Sequence, residues 1–318
     1  MKTMKKILML EYIFDLFIIV VFSLIYYLNQ IIPTNEVIFI PKGSINKIIT
    51  HLQQKNYEVT KLDSYLLRLI GTPQSGWIYI GEKRLKRGDF LYKLTTAKAA
   101  MRDVMLIPGE TSYIFLNILA QKLDLDRAKL QYQFERLSPY PDGVFVPNTY
   151  KLPLGITEEH VIKMLLKNSL KEYKKLSMKI FGTYNEKKWF HYVTIASIIQ
   201  KEAASNKEMP LVASVIYNRL KRGMKLQMDG SLNYGKYSHI KITPKRLRTD
   251  RSRYNTYLYK GLPPYPVCNV SFDAIKAAIF PAKTSYLYFM KQKNGLHKFT
   301  SSFRAHQKVI NSVTRSNR

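Results

Sequence analysis

The chain has 318 residues, with 51 Lys+Arg against 22 Asp+Glu for a formal net charge of +29, 46% apolar residues and 13% aromatics. This composition excludes a disordered, collagen-like or coiled-coil chain, and the length suits about two domains. The single cysteine, Cys268, excludes an intrachain disulfide framework or a cysteine-based zinc cluster, while the positive surplus calls for an acidic neighbour (nucleic acid, membrane or anionic polymer) unless the whole proteome is basic.

Lys2, Lys5 and Lys6 precede an almost wholly apolar stretch from Ile7 to Leu28, 22 residues broken only by Glu11, Asp15 and Ser23. A membrane-crossing helix needs about 20. Both acids lie in the N-terminal half, where they can reach the interface. The bulky run Tyr26-Tyr27-Leu28-Asn29-Gln30-Ile31-Ile32-Pro33 lacks the small-x-small pattern of a cleavage site. Residues 1–6 are therefore expected to be a cytoplasmic tail and 7–30 an uncleaved transmembrane signal anchor, with everything beyond about residue 33 outside the cytoplasmic membrane. A buried N-terminal helix is the alternative. With the anchor in place, the membrane is a partner and nucleic acid is not.

Val37-Ile38-Phe39-Ile40 reads as a strand, Pro41-Lys42-Gly43 as a turn, and Ser44 as the cap of a helix carrying Ile45, Ile48, Ile49 and Leu52. A second amphipathic stretch, Leu62 to Ile70, ends at Gly71-Thr72-Pro73, and Trp77-Ile78-Tyr79-Ile80 reads as a returning strand. These elements make a small α+β module within 36–100. Leu106 to Thr111 repeats the strand, glycine corner and capped helix of residues 37 to 48, a weak internal repeat at the start of a linking α+β region, 104–186. In that region Ser138 to Pro153 is loop-rich, with prolines 139, 141, 147 and 153, and Glu158 to Leu176 is a lysine-rich amphipathic helix.

The last segment, 187–318, holds 25 basic residues but only five acids: Glu202, Glu208, Asp229, Asp250 and Asp273. Chemistry that needs a carboxyl group here has five candidates. Trp189 to Ala204 is a strong helix, with Val193, Ile195, Ala196, Ile198 and Ile199 giving a broad buried stripe. Glu202 follows Ile199 by three and Ile198 by four, which puts its carboxyl on that stripe. Desolvation there favours the protonated form that a general acid needs near neutral pH. The alternative is a glutamate that escapes to solvent at the last turn or pairs with an arginine. A second helix, Leu211 to Arg222, follows Pro210 and stops at Gly223. The remaining loops carry amide and aromatic side chains, which suit carbohydrate hydroxyls and ring faces.

Five blocks in order carry a resemblance: Ala196-Ser197-Ile198-Ile199-Gln200-Lys201-Glu202, Ala213 to Leu220, Lys225-Leu226-Gln227-Met228-Asp229, Tyr254-Asn255-Thr256-Tyr257 with Gly261-Leu262-Pro263-Pro264, and Pro281 to Phe289. With them the sequence resembles the MltG/YceG-like endolytic murein transglycosylases over nearly its whole length. Residues from Pro41 to Thr95 are similar to the family's LysM-like module, and Ile107 to Glu110 and Val146 to Tyr150 to its linking region. The resemblance implies an α+β fold in which an N-terminal transmembrane helix leads through this module to a mixed α/β catalytic core at 187–318, its active site at a helix end among loops. It implies cleavage of the MurNAc-β-1,4-GlcNAc bond of nascent glycan strands to leave 1,6-anhydroMurNAc ends, without metal or cofactor. Peptidoglycan is then the partner, with penicillin-binding synthases nearby, and the enzyme sits in the cytoplasmic (inner) membrane with its catalytic part outside.

By the same resemblance Glu202 is the catalytic glutamate. Gln227, Asn255 and Tyr257 are the choices for binding sugar or steadying an oxocarbenium ion, and His297 for a glycan or stem-peptide carboxylate. Each is otherwise a loop residue satisfying backbone groups. Asp229 is a possible second carboxylate or a turn cap; as the former it would make the enzyme a hydrolytic muramidase. A non-catalytic peptidoglycan-binding scaffold is the remaining alternative. His191 and His239 show no partner pattern. Gln200, Arg253 and Asn269-Val270-Ser271 depart from the family's pattern.

Overall fold

In the computed structural model, which describes residues 2–315, the apolar N-terminal stretch is one helix, α1 (Lys2–Asn29). Its Lys6–Asn29 portion is long and apolar enough to cross a membrane, and none of that portion is buried. Met1 of the expected tail and residues 316–318 of the last segment lie outside the described residues.

Chain contacts divide the protein into two compact units, one running to Arg102 with Lys151–Gly155 added, the other Asp103–Tyr150 with Ile156 onward. Apart from Lys151–Gly155, the residues expected to form a linking region fall in the second with those expected to form a catalytic core, with no division at residue 186.

In the first unit, β1 (Ile31–Pro33), β2 (Val37–Ile40), α2 (Ile45–Gln54), α3 (Lys61–Ile70), β3 (Gly76–Tyr79), β4 (Arg84–Lys86) and α4 (Arg87–Thr96) follow α1. The strand, helix, helix, strand order read from the sequence is present: β2 and β3 pair antiparallel, Val37 opposite Tyr79 and Ile40 opposite Gly76. Ser44 caps α2 by accepting from the Lys47 N–H, and Thr60 and Asp63 form a reciprocal capping box on α3. Ile38, Ile48, Leu52, Leu67, Ile78, Phe90, Leu91 and Leu94 make the core. The end of α1 is tied to this core. Tyr27 donates to Asp63 Oδ1 (3.0 Å) and its ring lies under the Arg87 guanidinium, 4.3 Å from its centre. Arg87 in turn pairs with buried Asp63 at 2.8 Å. Gly88 fits against Leu28, and β1 pairs antiparallel with β4.

The second unit comprises β5 (Met101–Leu106), α5 (Ser112–Leu123), α6 (Arg127–Leu137), β6 (Asn148–Pro153), α7 (Glu158–Phe181), α8 (Glu186–Glu202), α9 (Met209–Lys221), α10 (Pro244–Thr249), α11 (Phe272–Ile279), β7 (Tyr288–Lys291), β8 (His297–Thr300) and α12 (Phe303–Arg315), with the outer ends of β5 and β6 reaching into the first unit. Helices build its core, and every sheet among the described residues has two strands. The repeated corner is present: Gly109, like Gly43, takes a positive φ, and Thr111 caps α5 as Ser44 caps α2. Strand β6 emerges from what the prolines suggested was loop. Helix α8 is the central piece, with Trp189, Val193, Ile195, Ala196, Ile198 and Ile199 buried and α9 and α11 packed against it.

Candidate active site

Helix α8 starts where the Asn185 side chain accepts from the Lys188 N–H, and it ends on Glu202. The last turn lies beside a short 3₁₀ helix, Asp229–Leu232. Glu202 is half-buried there, and its Oε1 accepts from the Gly230 N–H at 2.7 Å. Desolvation pushes its carboxyl up to about 7; the Gly230 N–H pulls it back and the nearby Asp229 charge adds to the rise. A group titrating near neutrality can both give and take a proton.

Gly230 has to be a glycine. A Cβ at this position would stand 2.4 Å from Lys201 Cβ and 3.0 Å from Glu202 Oε1. The adjoining loop is pinned to the Tyr-Asn-Thr-Tyr block: the Gln227 N–H donates to Thr256 O (3.1 Å) and the Met228 N–H to Thr256 Oγ1 (3.1 Å). Gln227 adopts the left-handed backbone at φ 47°, uncommon for a residue with a side chain, and its side chain is exposed. Asp229 is also exposed and accepts from the Tyr257 hydroxyl at 2.5 Å. Buried Arg219 holds the same loop from below, donating to Leu226 O (2.7 Å) and to Leu287 O (2.6 Å).

Glu202, Gln227, Asp229 and Tyr257 therefore come together at one end of α8. Two other expected residues are engaged elsewhere. Asn255 is fully buried, its amide donating to Leu247 O (2.9 Å) and Asp250 O (2.8 Å) while its Oδ1 accepts from the Tyr257 N–H (3.0 Å). A buried amide has to find backbone partners, and Asn255 shapes the loop that presents Tyr257. His297 on β8 is held by Glu208: its N–H donates to Oε1 and its Nδ1 meets Oε2, both at 2.8 Å. Glu208 Oε2 also accepts from the Ala204 N–H at 3.2 Å, so this pair fastens the turn after α8 to the β7–β8 hairpin.

The departures from the family pattern also find partners. Gln200 Oε1 accepts from the Ser271 N–H (3.1 Å) and hydroxyl (2.8 Å), two of the departing positions bonded to each other. Arg253 lies over Tyr259.

Sequence reasoning missed three neighbours. Asp142, fully enclosed, has its carboxyl driven up to about 7 by desolvation although the Gly143 N–H and the Ser112 N–H and hydroxyl donate to it. His239, read as unpartnered, meets Glu110 Oε2 at 3.1 Å. Tyr234 and Tyr254 stack with ring centres 4.2 Å apart. Apart from the Gly143 N–H, these partners lie 20 or more positions away along the chain, which is why no local pattern revealed them.

Fold and site together give a chain that begins with an apolar helix and carries one half-buried glutamate, held by a backbone N–H, at the end of a buried helix. Residues 38–312 match the profile of the YceG-like family. The chain is 30% identical over 302 residues to the endolytic murein transglycosylase of Bacillus subtilis (strain 168), covering 85% of this chain and 82% of that one. It is 35% identical over 215 residues to the endolytic murein transglycosylase of Streptococcus pneumoniae (strain D39), 64% of this chain but only 36% of that longer protein. Its fold is similar to the crystal structure of a yceG-like protein from Listeria monocytogenes, with a TM-score of 0.55 at 25% identity, covering 88% of this chain and 99% of that one. The chain belongs to the YceG-like family.

Proposed function

We propose that the protein is an endolytic murein transglycosylase acting on peptidoglycan, the activity its relatives are named for. The observation that carries this reading is Glu202, a lone carboxyl on the apolar face of α8, poised near pH 7 and steadied by the Gly230 N–H. Glycosidases that use water need two carboxyl groups. Here one suffices if the substrate brings its own nucleophile. The Glu202 carboxyl gives its proton to the glycosidic oxygen as the bond from muramyl C1 breaks. The resulting carboxylate then takes the proton of the muramyl C6 hydroxyl as that oxygen closes on C1. The products are an anhydro end and a free hydroxyl, Glu202 is protonated again, and no water is consumed. The nucleophile is tethered in the substrate, so the protein has only to hold the ring in a reactive shape. Gln227 and Tyr257, on the loop beside Glu202, are the groups we assign to that task, with Asp229 orienting the Tyr257 hydroxyl.

Several finer features accompany this reading. Helix α1 serves as a single-pass anchor in the cytoplasmic membrane, its basic start inside and both units outside. The first unit is the LysM-like module; a cavity of about 410 Å³ lined by Phe39, His51, Tyr57 and Trp77 suits a sugar face. Peptidoglycan synthases that make the strands are natural neighbours of an enzyme that ends them.

Mass spectrometry of products from purified peptidoglycan, with the full chain in detergent and isotopically labelled water, tests the reaction. Anhydromuramyl ends inside long strands and no solvent oxygen are expected. Reducing ends carrying solvent oxygen would favour the muramidase reading, which Asp229 beside Glu202 keeps in play. Full activity in a well-folded Glu202→Gln protein would overturn the role of Glu202, and a native protein that binds strands but cleaves none would leave the scaffold.

A further inference from the structure

Helix α8 carries a second feature. Around its first half the loops at 138–143 and 262–266 close on one another: Gly143, at φ 73°, passes so near the second loop that a Cβ would stand 2.6 Å from Pro266 Cβ. The two loops and α8 enclose a cavity of about 260 Å³ whose lining includes Tyr140, Lys187, Phe190, His191, Pro264 and Tyr265. Tyr140 stacks on Phe190 with ring centres 3.8 Å apart and meets Tyr265 edge-on at 6.1 Å. Tyr265 is 43% exposed, and Lys187 and His191 are exposed at the rim. The opening therefore offers flat aromatic and prolyl walls with two groups able to carry positive charge, and with the Glu186 carboxylate engaged by the Tyr140 hydroxyl.

The cavity lies in line with the candidate active site. Thr194, on its floor, precedes Glu202 by eight residues, about 12 Å along a helix, and Lys187 by fifteen, about 22 Å. Tyr257 donates to Asp229, and Tyr254, three residues earlier in the same block, stacks on Tyr234. Aromatic faces beside a lysine and a histidine suit a pyranose ring that bears a carboxylate.

We propose that this cavity is a distal glycan subsite, resting on the function proposed above: it holds a ring of the same strand remote from the cleaved bond, with that ring's acidic substituent against Lys187 and His191. A cut inside a strand requires the strand to continue past the reacting bond, and a rigid helix shared by subsite and carboxyl fixes how far away the next grip lies. Binding energy gathered there orients the strand at Glu202 without touching the reacting atoms.

The test uses the full chain in detergent, with Glu202→Gln so that binding is read without turnover, and purified uncrosslinked glycan strands. Tyr265→Ala is expected to weaken binding of long strands about 10-fold, the scale of one lost stacking contact, and to leave a short fragment that spans only the cleaved bond unaffected. Lys187→Glu should weaken binding of strands that carry stem peptides and spare strands stripped of them. Equal loss on long and short ligands, or no loss on either, overturns the subsite; an unchanged Lys187→Glu protein overturns its anionic side. With native Glu202, Tyr265→Ala should raise KM on long strands and leave kcat in place. Should the native protein cleave nothing while the variants still lose strand binding, the transglycosylase reading falls and the subsite stands.

Discussion

A carboxyl group that must give a proton and then take one works best when neither form is held too firmly, and the two neighbours of Glu202 act in opposite senses. Desolvation and Asp229 raise its pKa; the Gly230 N–H lowers it. Glu202→Gln should cut turnover by at least about 100-fold, the usual contribution of general acid–base catalysis, with the fold intact because an amide oxygen can still accept from Gly230. Initial rates and thermal melting check both parts. In native protein kcat/KM should fall as pH rises through about 7, where the acid form is lost. Asp229→Asn removes a negative neighbour and should move that fall to lower pH. An abolished rate instead would make Asp229 a working second carboxylate. Gly230→Ala should cost about 10- to 100-fold in kcat, the worth of a charge-assisted hydrogen bond, since the added Cβ cannot fit without moving Lys201 or Glu202.

At the scale of the elements, two buried side-chain pairs hold turns that packing alone would leave loose. Glu208 joins the end of α8 to β8 through His297, and Asp63 joins α3 to α4 and, through Tyr27, to α1. Asp63→Ala leaves Arg87 buried without its partner and should destabilise the first unit by about 3–5 kcal/mol, read as a lower melting temperature. The second unit has its own core, so its melting transition and its glycan cleavage should change much less. The elements themselves were legible. Helices at 45–54, 61–70 and 186–202 follow from apolar spacing, and Ser44 caps the first as expected; Thr60 and Asn185, which the spacing did not single out, cap the other two. Strand β6 was not, because prolines 147 and 153 bracket a segment whose pairing partner, β5, lies more than 40 residues earlier.

Over the whole molecule, acid and base should shift stability in one direction. Glu202 and Asp142 both titrate near 7 in the fold, against ordinary values of 4.5 and 3.8. An acid whose pKa is raised by folding supports the fold while protonated and withdraws that support as pH climbs from about 4 to about 7. Denaturant midpoints should therefore fall over that range, and Glu202→Gln and Asp142→Asn should each flatten the slope. The +29 charge acts at longer range. If it meets wall carboxylates and anionic headgroups, binding of the protein to purified wall should weaken steeply with added salt; salt-insensitive binding would make the charge a trait of composition only.

What the sequence by itself determined is local: an apolar run of membrane length, capped helices, and a glutamate three and four residues after isoleucines on one helical face. Those follow from chain-neighbour geometry, which a period of 3.6 residues fixes without knowledge of the fold. The tertiary structure decided what meets that glutamate. It turned Asn255 inward, gave His297 to Glu208, placed the Gly230 N–H on Glu202 and enclosed Asp142. Each of those outcomes depends on burial, and all but the Asn255 contacts also on a partner tens of residues away, a distance no local pattern encodes.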